Sequence, residues 1–340
     1  MGGDGMTLTD RFGRVHRDLR ISLTDRCSLR CTYCMPADGV PWLARSTMLT
    51  TDEIVQVARV GVENGITEIR LTGGEPLLRV DVVDVVRRLT ALTGPDGRSP
   101  EVSLTTNALR LPALASPLRD AGLTRVNISL DTLDRARFIS LTRRDRLVET
   151  LAGIAAADAA GLQPVKLNAV AMRGVNDDEV VALTRFAVDR GYQMRFIEQM
   201  PLDGGHTWDR TEMVTQAEIL ERLNAEFALT EVPGRGAAPA ELWTVNGGPA
   251  TVGVIASVTA PFCGSCDRLR LTADGQLRAC LFSQGETDVR SLVRADGPAA
   301  DIDAAIADAY RRCLAGKKAG HDIDDPSFLQ PTRPMSAIGG

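Results

Sequence analysis

The 340-residue sequence predicts an α/β fold of six strand–helix units, an open partial barrel or a doubly wound sheet, followed by a smaller α+β region. Three observations predict it. Short β-rich runs alternate with helical ones from residue 18 to residue 198. Capping boxes and glycines fall at the helix ends that this alternation requires. Cysteines and polar residues gather just after the strands, where parallel α/β barrels build their sites.

Taken in order, residues 1–17 are Gly-rich and then charged, and read as an arm. Strands are expected at 18–23, 66–72, 102–106, 125–130, 165–170 and 193–198, with helices near 52–64, 80–92, 112–121, 134–160 and 178–190. Thr50-Thr51-Asp52-Glu53 and Thr215-Gln216-Ala217-Glu218 fit capping boxes, each opening a helix. Gly65, Gly122, Gly161 and Gly191 each follow a helical run where a left-handed cap is expected. Six such units are too few for a closed eight-fold barrel. Residues 201–240 read as a transition, with a helix at 216–226 and a Pro/Gly/Ala-rich 233–240. Strands at 241–246 and 251–258 follow, then a hairpin, 269–272 with 277–281, turning at Asp274-Gly275, and a helix at 299–315. The tail after 316 is expected on the surface. The division is therefore 1–17, 18–232 and 233–340.

Composition bounds the function. Hydrophobic content of 44% and charged content of 24% are ordinary for a soluble globular chain. A net charge of −5 argues against a nucleic-acid binder, though local Arg and Lys could still hold an anionic small molecule. No run of about 18 apolar residues suggests a membrane span. Met1 to Asp10 lacks the apolar core of a signal peptide, so the chain reads as cytoplasmic, where clustered thiols more often bind metal than form disulfides.

Seven cysteines fall into two trios and a singleton. The first, Cys27-x3-Cys31-x2-Cys34, follows the first strand. Three thiols are odd for disulfides and one short of a closed zinc site. The three histidines, 16, 206 and 321, show no spacing that would complete one. Four thiolates normally hold an iron–sulfur cluster, so a cluster on three keeps one iron open. The second, Cys263-x2-Cys266-x13-Cys280, could by itself be zinc or redox. A two-residue turn at 274–275 would set Cys280 opposite Leu269, so the preceding loop must fold back to gather all three. Cys313 sits on the apolar stripe Ile302, Ile306, Tyr310, Cys313 and Leu314, and reads as a structural thiol. Arg268 and Arg270 lie two apart on a strand and share one face; they are a solvated pair, or a bidentate phosphate grip beside a metal.

The first trio, followed one unit later by Gly73-Gly74-Glu75-Pro76, resembles the radical S-adenosylmethionine superfamily. That resemblance implies that the open iron chelates the amino and carboxylate groups of S-adenosylmethionine and that its electron yields a 5′-deoxyadenosyl radical. It implies Tyr33 against the adenine, Gly74 at the methionine amino group, and Ser129 and Met200 as further contacts.

Nearly the whole chain resembles the GTP 3′,8-cyclase family of molybdenum cofactor biosynthesis. The resemblance rests on Asp10-Arg11-Phe12-Gly13-Arg14, Cys31-Thr32-Tyr33-Cys34-Met35-Pro36, Arg70 to Pro76, Asn127-Ile128-Ser129-Leu130-Asp131, Pro261-Phe262-Cys263, Arg268 to Gly275 and the final Gly339-Gly340. Ser28, Asp267 and Ala108 depart from the family pattern without removing a ligand. The resemblance implies a partial (β/α)6 TIM-like barrel whose C-terminal α+β extension carries a second [4Fe–4S] cluster on Cys263, Cys266 and Cys280. It implies GTP held by Arg20, Arg70, Thr105, Lys166, Arg268, Leu269 and Arg270, with the Gly339-Gly340 tail assisting the radical step. Arg20, Arg268 and Arg270 would also serve catalysis. It further implies a reducing electron donor, a homodimer, and a product passed to a cyclic pyranopterin monophosphate synthase. A peptide-modifying radical enzyme with an auxiliary cluster is the nearest alternative; a non-enzymatic iron–sulfur or zinc protein would not need the strand-end polar residues.

Overall fold

The computed structural model describes residues 7–203, 205, 207–326 and 328–339. Six strands, β1 (Asp18–Ser22), β2 (Glu68–Thr72), β3 (Glu101–Thr106), β4 (Arg125–Ser129), β5 (Lys166–Ala171) and β6 (Gln193–Glu198), pair in parallel in sequence order. Between them run α1 (Thr51–Glu63), α2 (Val82–Thr90), α3 (Leu111–Asp120), α4 (Arg135–Thr142), α5 (Leu147–Ala159) and α6 (Val180–Val188). The central strands carry Leu, Ile and Val that are wholly buried, as a sheet covered by helices requires. Both expected capping boxes form, at Thr50 for α1 and at Thr215 for α7 (Gln216–Asn224).

The C-terminal region does not stand beside this sheet; it extends it at both edges. After β7 (Leu229–Val232) and β8 (Glu241–Val245), β9 (Thr251–Ile255) pairs in parallel with β6. On the other side, β10 (Arg268–Leu271) pairs in parallel with β1, followed by β11 (Gln276–Arg278) and β12 (Thr287–Asp288). The result is one open twelve-stranded sheet, a partial TIM-barrel-like arrangement. Unpaired strand edges expose donors and acceptors, and here each edge of the six-stranded sheet is covered by a later strand. The sequence reading found no strand at β7, whose two middle residues are exposed and carry no strong alternation signal.

Three local expectations are corrected. The helix expected over 134–160 is two helices, broken at Arg143, which has φ 56°. Its guanidinium donates to the carbonyls of Arg30 and Met35, at 2.8 and 3.1 Å, so the break braces the first cysteine loop. The hairpin turn is three residues rather than two. Arg270 faces Arg278 and Leu271 faces Leu277, so the register slips by one. Its cause is local: Thr272 donates its hydroxyl to Asp274, its backbone N–H bonds to Gln276, and Gly275 takes φ 78°. The tail is only partly on the surface: residues 318, 319, 322, 324–326, 329 and 332 are exposed. After α8 (Arg290–Val293) and α9 (Ala299–Ala315), α10 (Met335–Ile338) returns inward, with Ser336 and Ile338 buried.

The α9 stripe packs as expected. Ile306, Tyr310, Cys313 and Leu314 are buried, and the Tyr310 hydroxyl donates to the Val57 carbonyl of α1 at 3.1 Å. Cys313 is thus part of the packed core.

Candidate active site at the strand ends

A cavity of about 2030 Å³, its open mouth included, lies over the carboxyl ends of the parallel strands, and all six clustered cysteines line it.

The first cysteine loop leaves β1 and is held from outside. Arg30 and Thr32 donate backbone N–H groups to the carbonyls of Thr142 and Leu141, at 2.9 and 3.0 Å. Within it, the Cys34 and Met35 N–H groups both return to the Cys31 carbonyl at 3.0 Å. All three cysteines are free thiols. Burial pushes Cys27 up to about 11 and Cys34 up to about 12, and pushes Cys31 up as well. Burial of this kind disfavours the thiolate, and a bound metal would favour it. The donors around them suit that state: Leu29 N–H lies 3.4 Å from Cys27 Sγ and the Asn107 amide 3.8 Å away. Among the described residues, no three His, Cys, Asp or Glu gather as a single-ion site.

Gly73-Gly74-Glu75 threads against the start of that loop. Gly74 N–H donates to the Thr24 carbonyl and Glu75 N–H to the Arg26 carbonyl, both at 2.7 Å. Glu75 is 1% exposed and accepts from the Leu77 and Asn107 N–H groups and from the Thr106 hydroxyl, at 3.0, 2.7 and 2.7 Å. It therefore ties the second strand end to the third. Tyr33 donates to Asp131 at 2.8 Å, while the other Asp131 oxygen accepts from Val170 N–H at 2.9 Å. Burial pushes Asp131 up to about 6. Ser129, Thr105 and Met200 line the same wall.

Another part of the lining is basic, and the strand register makes it so. Arg20 sits beside Arg270 on one side and Arg70 on the other, while Arg268 sits beside Asp18. Arg195 on β6 completes five guanidiniums lining the cavity. Asp18 lies 3.7 Å from Arg20 Nε and 3.5 Å from Arg268 Nε. Burial would raise Asp18, but Arg20, Arg70, Arg268 and Arg270 outweigh it and hold it low. Burial and mutual repulsion push Arg20 and Arg70 to about 10 and Arg195 to about 9, and Arg270 well down. Arginines stay charged, so these directions describe a wall short of negative charge. The Nε atoms of Arg20 and Arg268 are buried without hydrogen-bond partners among the described residues. A polyanion is the natural complement.

Other site expectations are only partly met by position. Lys166 is not among the lining residues; it lies two residues earlier than the lining Asn168 on the same face of β5, deeper in the sheet. Burial first, then Arg195, Arg125 and Arg70, push it down to about 7. Leu269 points away from the cavity into the core, wholly buried, because it alternates with Arg268 and Arg270. Glu198, at the carboxyl end of β6, faces elsewhere. It accepts from the Gln216, Val258 and Thr259 N–H groups, each at 2.9 Å, and from the Thr259 hydroxyl. Replacing Glu198 with alanine strands these buried donors. An expected loss of about 3–5 kcal/mol, measured by urea unfolding, distinguishes this clasp from a site residue.

Gly339 arrives at the basic wall, where Arg270 donates to its carbonyl. Gly340 lies outside the described residues, as does His206. The tail is anchored upstream by Arg333, which donates to Asp274 at 3.0 and 2.9 Å and to Glu286 at 2.8 Å. Sequence reasoning missed Arg333, Arg195 and the Asp131 partner of Tyr33; only the strand alternation of Arg195 signalled its inward direction. Arg333→Ala is expected to free residues 329–339, raising their amide exchange and lowering turnover about 10- to 100-fold, as loss of a charged grip worth about 1.5–3 kcal/mol implies. Unchanged exchange would remove the anchor role.

Known proteins resemble this chain over nearly its full length. The family model "Radical SAM superfamily" matches residues 21–187, and "Molybdenum Cofactor Synthesis C" matches 192–323. The chain is 56% identical over 336 residues to a GTP 3′,8-cyclase of Streptomyces coelicolor, covering 98% of this chain and 96% of that one. It is 53% identical to a GTP 3′,8-cyclase of Corynebacterium glutamicum, covering 98% and 89%. Among solved structures, Streptococcus suis SuiB bound to precursor peptide SuiA aligns with TM-score 0.60 at 14% identity, over 91% of this chain and 69% of that one. A histidine-tagged anSMEcpe with bound AdoMet aligns with TM-score 0.57 at 12% identity, over 90% and 79%. At such identities these two bear on the fold alone.

Proposed function

The chain belongs to the GTP 3′,8-cyclase family of the radical S-adenosylmethionine superfamily, and from that premise we propose how its residues divide the work. The enzyme uses S-adenosylmethionine and iron–sulfur chemistry to cyclise GTP to (8S)-3′,8-cyclo-7,8-dihydroguanosine 5′-triphosphate, the first step of molybdenum cofactor biosynthesis. The finer reading is that two [4Fe–4S] clusters serve it. Cys27, Cys31 and Cys34 would hold the first, which would supply the electron for reductive cleavage of S-adenosylmethionine. Cys263, Cys266 and Cys280 would hold the second, on the substrate side of the cavity.

The protein's own part is positioning. The Gly74 backbone receives the methionine amino group, while Tyr33, fixed by Asp131, stacks on the adenine; Ser129 and Met200 close around the ligand. Arg20, Arg70, Arg268 and Arg270 grip the triphosphate, with Arg195 added to them and Thr105 and Lys166 at the deeper end. Leu269 contributes through its backbone at most. The Gly339-Gly340 tail assists the radical step at the ribose, with Gly339 beside Arg270. An enclosed pocket keeps the radical from water and other quenchers.

One observation carries this reading: both thiol trios and five guanidiniums line a single cavity at the strand ends. Residues 1–17 are the arm, 18–232 the barrel and 233–340 the region of the second cluster. A cytoplasmic homodimer, an external one-electron donor and transfer of the product to a cyclic pyranopterin monophosphate synthase complete the proposal. No helix among the described residues is long and apolar enough to cross a membrane.

Anaerobic reconstitution tests it directly. About eight irons per chain, the sum of two four-iron clusters, and 5′-deoxyadenosine formation that depends on GTP are the expected results. Four irons would remove the second cluster; cleavage indifferent to GTP would remove the substrate geometry.

A further inference from the structure

Lys317 is a buried cation with no carboxylate partner. It follows α9 and is 3% exposed, a rare condition for a lysine that lacks a counter-charge. Among the described residues no Asp or Glu lies within ion-pair distance of its ammonium. Instead Nζ lies 3.6 Å from Cys266 Sγ and 2.7 Å from the Arg268 carbonyl. Among the described residues the Cys266 sulfur is the group able to carry negative charge at that range.

The surroundings hold it there. Arg14 donates to the carbonyls of Cys263, Lys318 and Ala319, at 2.6, 2.7 and 3.2 Å, so the 317–321 segment is locked to the second cysteine loop. Within that lock the backbone N–H of His321 faces the Cys263 sulfur and that of Arg268 faces the Cys266 sulfur. His16, wholly buried nearby, is kept neutral by burial and then by the Lys317 charge itself. The two trios therefore differ. Among the described residues, sulfurs of the first face only neutral donors: Leu29 N–H, the Asn107 amide, Ser336 N–H and the Tyr33 hydroxyl. Arg30 lies near Cys27, but its guanidinium donates to the Cys27 and Leu29 carbonyls, at 2.7 and 2.9 Å. A sulfur of the second trio receives an ammonium.

We propose that Lys317 is the outer-shell cation of the second trio and sets the reduction potential of the iron–sulfur cluster held there. This rests on the two-cluster reading above. A reduced cluster carries one more negative charge than its oxidised form. A fixed positive charge held on a buried side chain against one of its thiolates stabilises the reduced form and raises the potential. The second cluster then takes an electron from an external donor more readily than the first, where no cation donates to a sulfur. Lys317 touches neither substrate nor reacting atoms; it is a positioning and tuning residue.

The test is a redox titration of full-length protein with dithionite, followed by electron paramagnetic resonance. The second-cluster signal is assigned by its survival in Cys27→Ala/Cys31→Ala/Cys34→Ala. In Lys317→Met the one-electron equilibrium should shift toward the oxidised form by about tenfold or more, a lowering of about 59 mV per tenfold. Lys317→Arg should stay near the native value. Four irons in the unaltered protein would refute the two-cluster reading. Eight irons with an unmoved potential in Lys317→Met would overturn the Lys317 inference alone. Loss of the second cluster from both Lys317→Met and Lys317→Gln, with Lys317→Arg retaining it, would overturn tuning in favour of a holding role.

Discussion

Gly74→Ala should abolish S-adenosylmethionine cleavage while leaving the protein folded. A Cβ at Gly74 would stand 2.4 Å from the Arg26 carbonyl oxygen, 2.6 Å from its carbon and 2.6 Å from the Asp25 oxygen. All three are backbone atoms, so no rotamer relieves them; ordinary contact begins at 3.4 Å, and the two loops must part by about an ångström. That displacement enters the chain at Arg26, immediately before Cys27. It also strains the paired bonds from Gly74 N–H to Thr24 and from Glu75 N–H to Arg26. An error of this size at a reacting centre costs about 100-fold in rate. 5′-Deoxyadenosine formation should therefore fall at least that far, with far-ultraviolet circular dichroism unchanged. Native cleavage in the variant would mean that the glycine serves only the turn.

Arg270→Ala should remove GTP use while iron content holds. Arg270 is 5% exposed and stands at the centre of the basic wall, with Arg20 beside it and the Gly339 carbonyl on its guanidinium. Truncating one member of a buried charged contact costs about 2–5 kcal/mol, or roughly 30- to several-thousand-fold in affinity. The expected result is a GTP dissociation constant raised within that range by isothermal titration. Arg270→Lys should recover little, because a single ammonium cannot meet phosphate oxygens and the Gly339 carbonyl with a planar fork. Unchanged GTP binding in Arg270→Ala would move the triphosphate elsewhere in the cavity.

Much of the fold was legible because its signals are local. Parallel strands buried on both faces read as apolar runs, and capping boxes at Thr50 and Thr215 mark the helix starts they occupy. Where the signal was weak, the reading failed: β7 has two exposed residues in four, and the one-residue hairpin slip depends on Asp274 and Gly275 acting together. The helix break at Arg143 lies in the polar run Arg143-Arg144-Asp145-Arg146, which could have marked it. The site divides the same way. Cysteine spacing, the Gly-Gly-Glu-Pro turn and the Arg268/Arg270 alternation are visible within a few residues of chain. Contacts between distant residues are not: Tyr33 with Asp131, Arg270 with Gly339 and Arg333 with Asp274 span 98, 69 and 59 positions.

The sequence by itself determined the chemistry: two sets of three thiols, a glycine turn that admits a backbone contact, and arginines on one strand face. Those follow from residue type and short spacing, which the backbone geometry of a strand or a turn converts directly into direction. The tertiary structure alone decided that both trios open into one cavity. It did so because β10, coming late in the chain, pairs with β1 and sets Arg268 and Arg270 in register with Asp18 and Arg20. It also turned Glu198 away from the site, returned the tail to Arg270 and set the Lys317 ammonium against Cys266. Burial and partner choice depend on which distant segments the sheet brings together, and no local pattern records that.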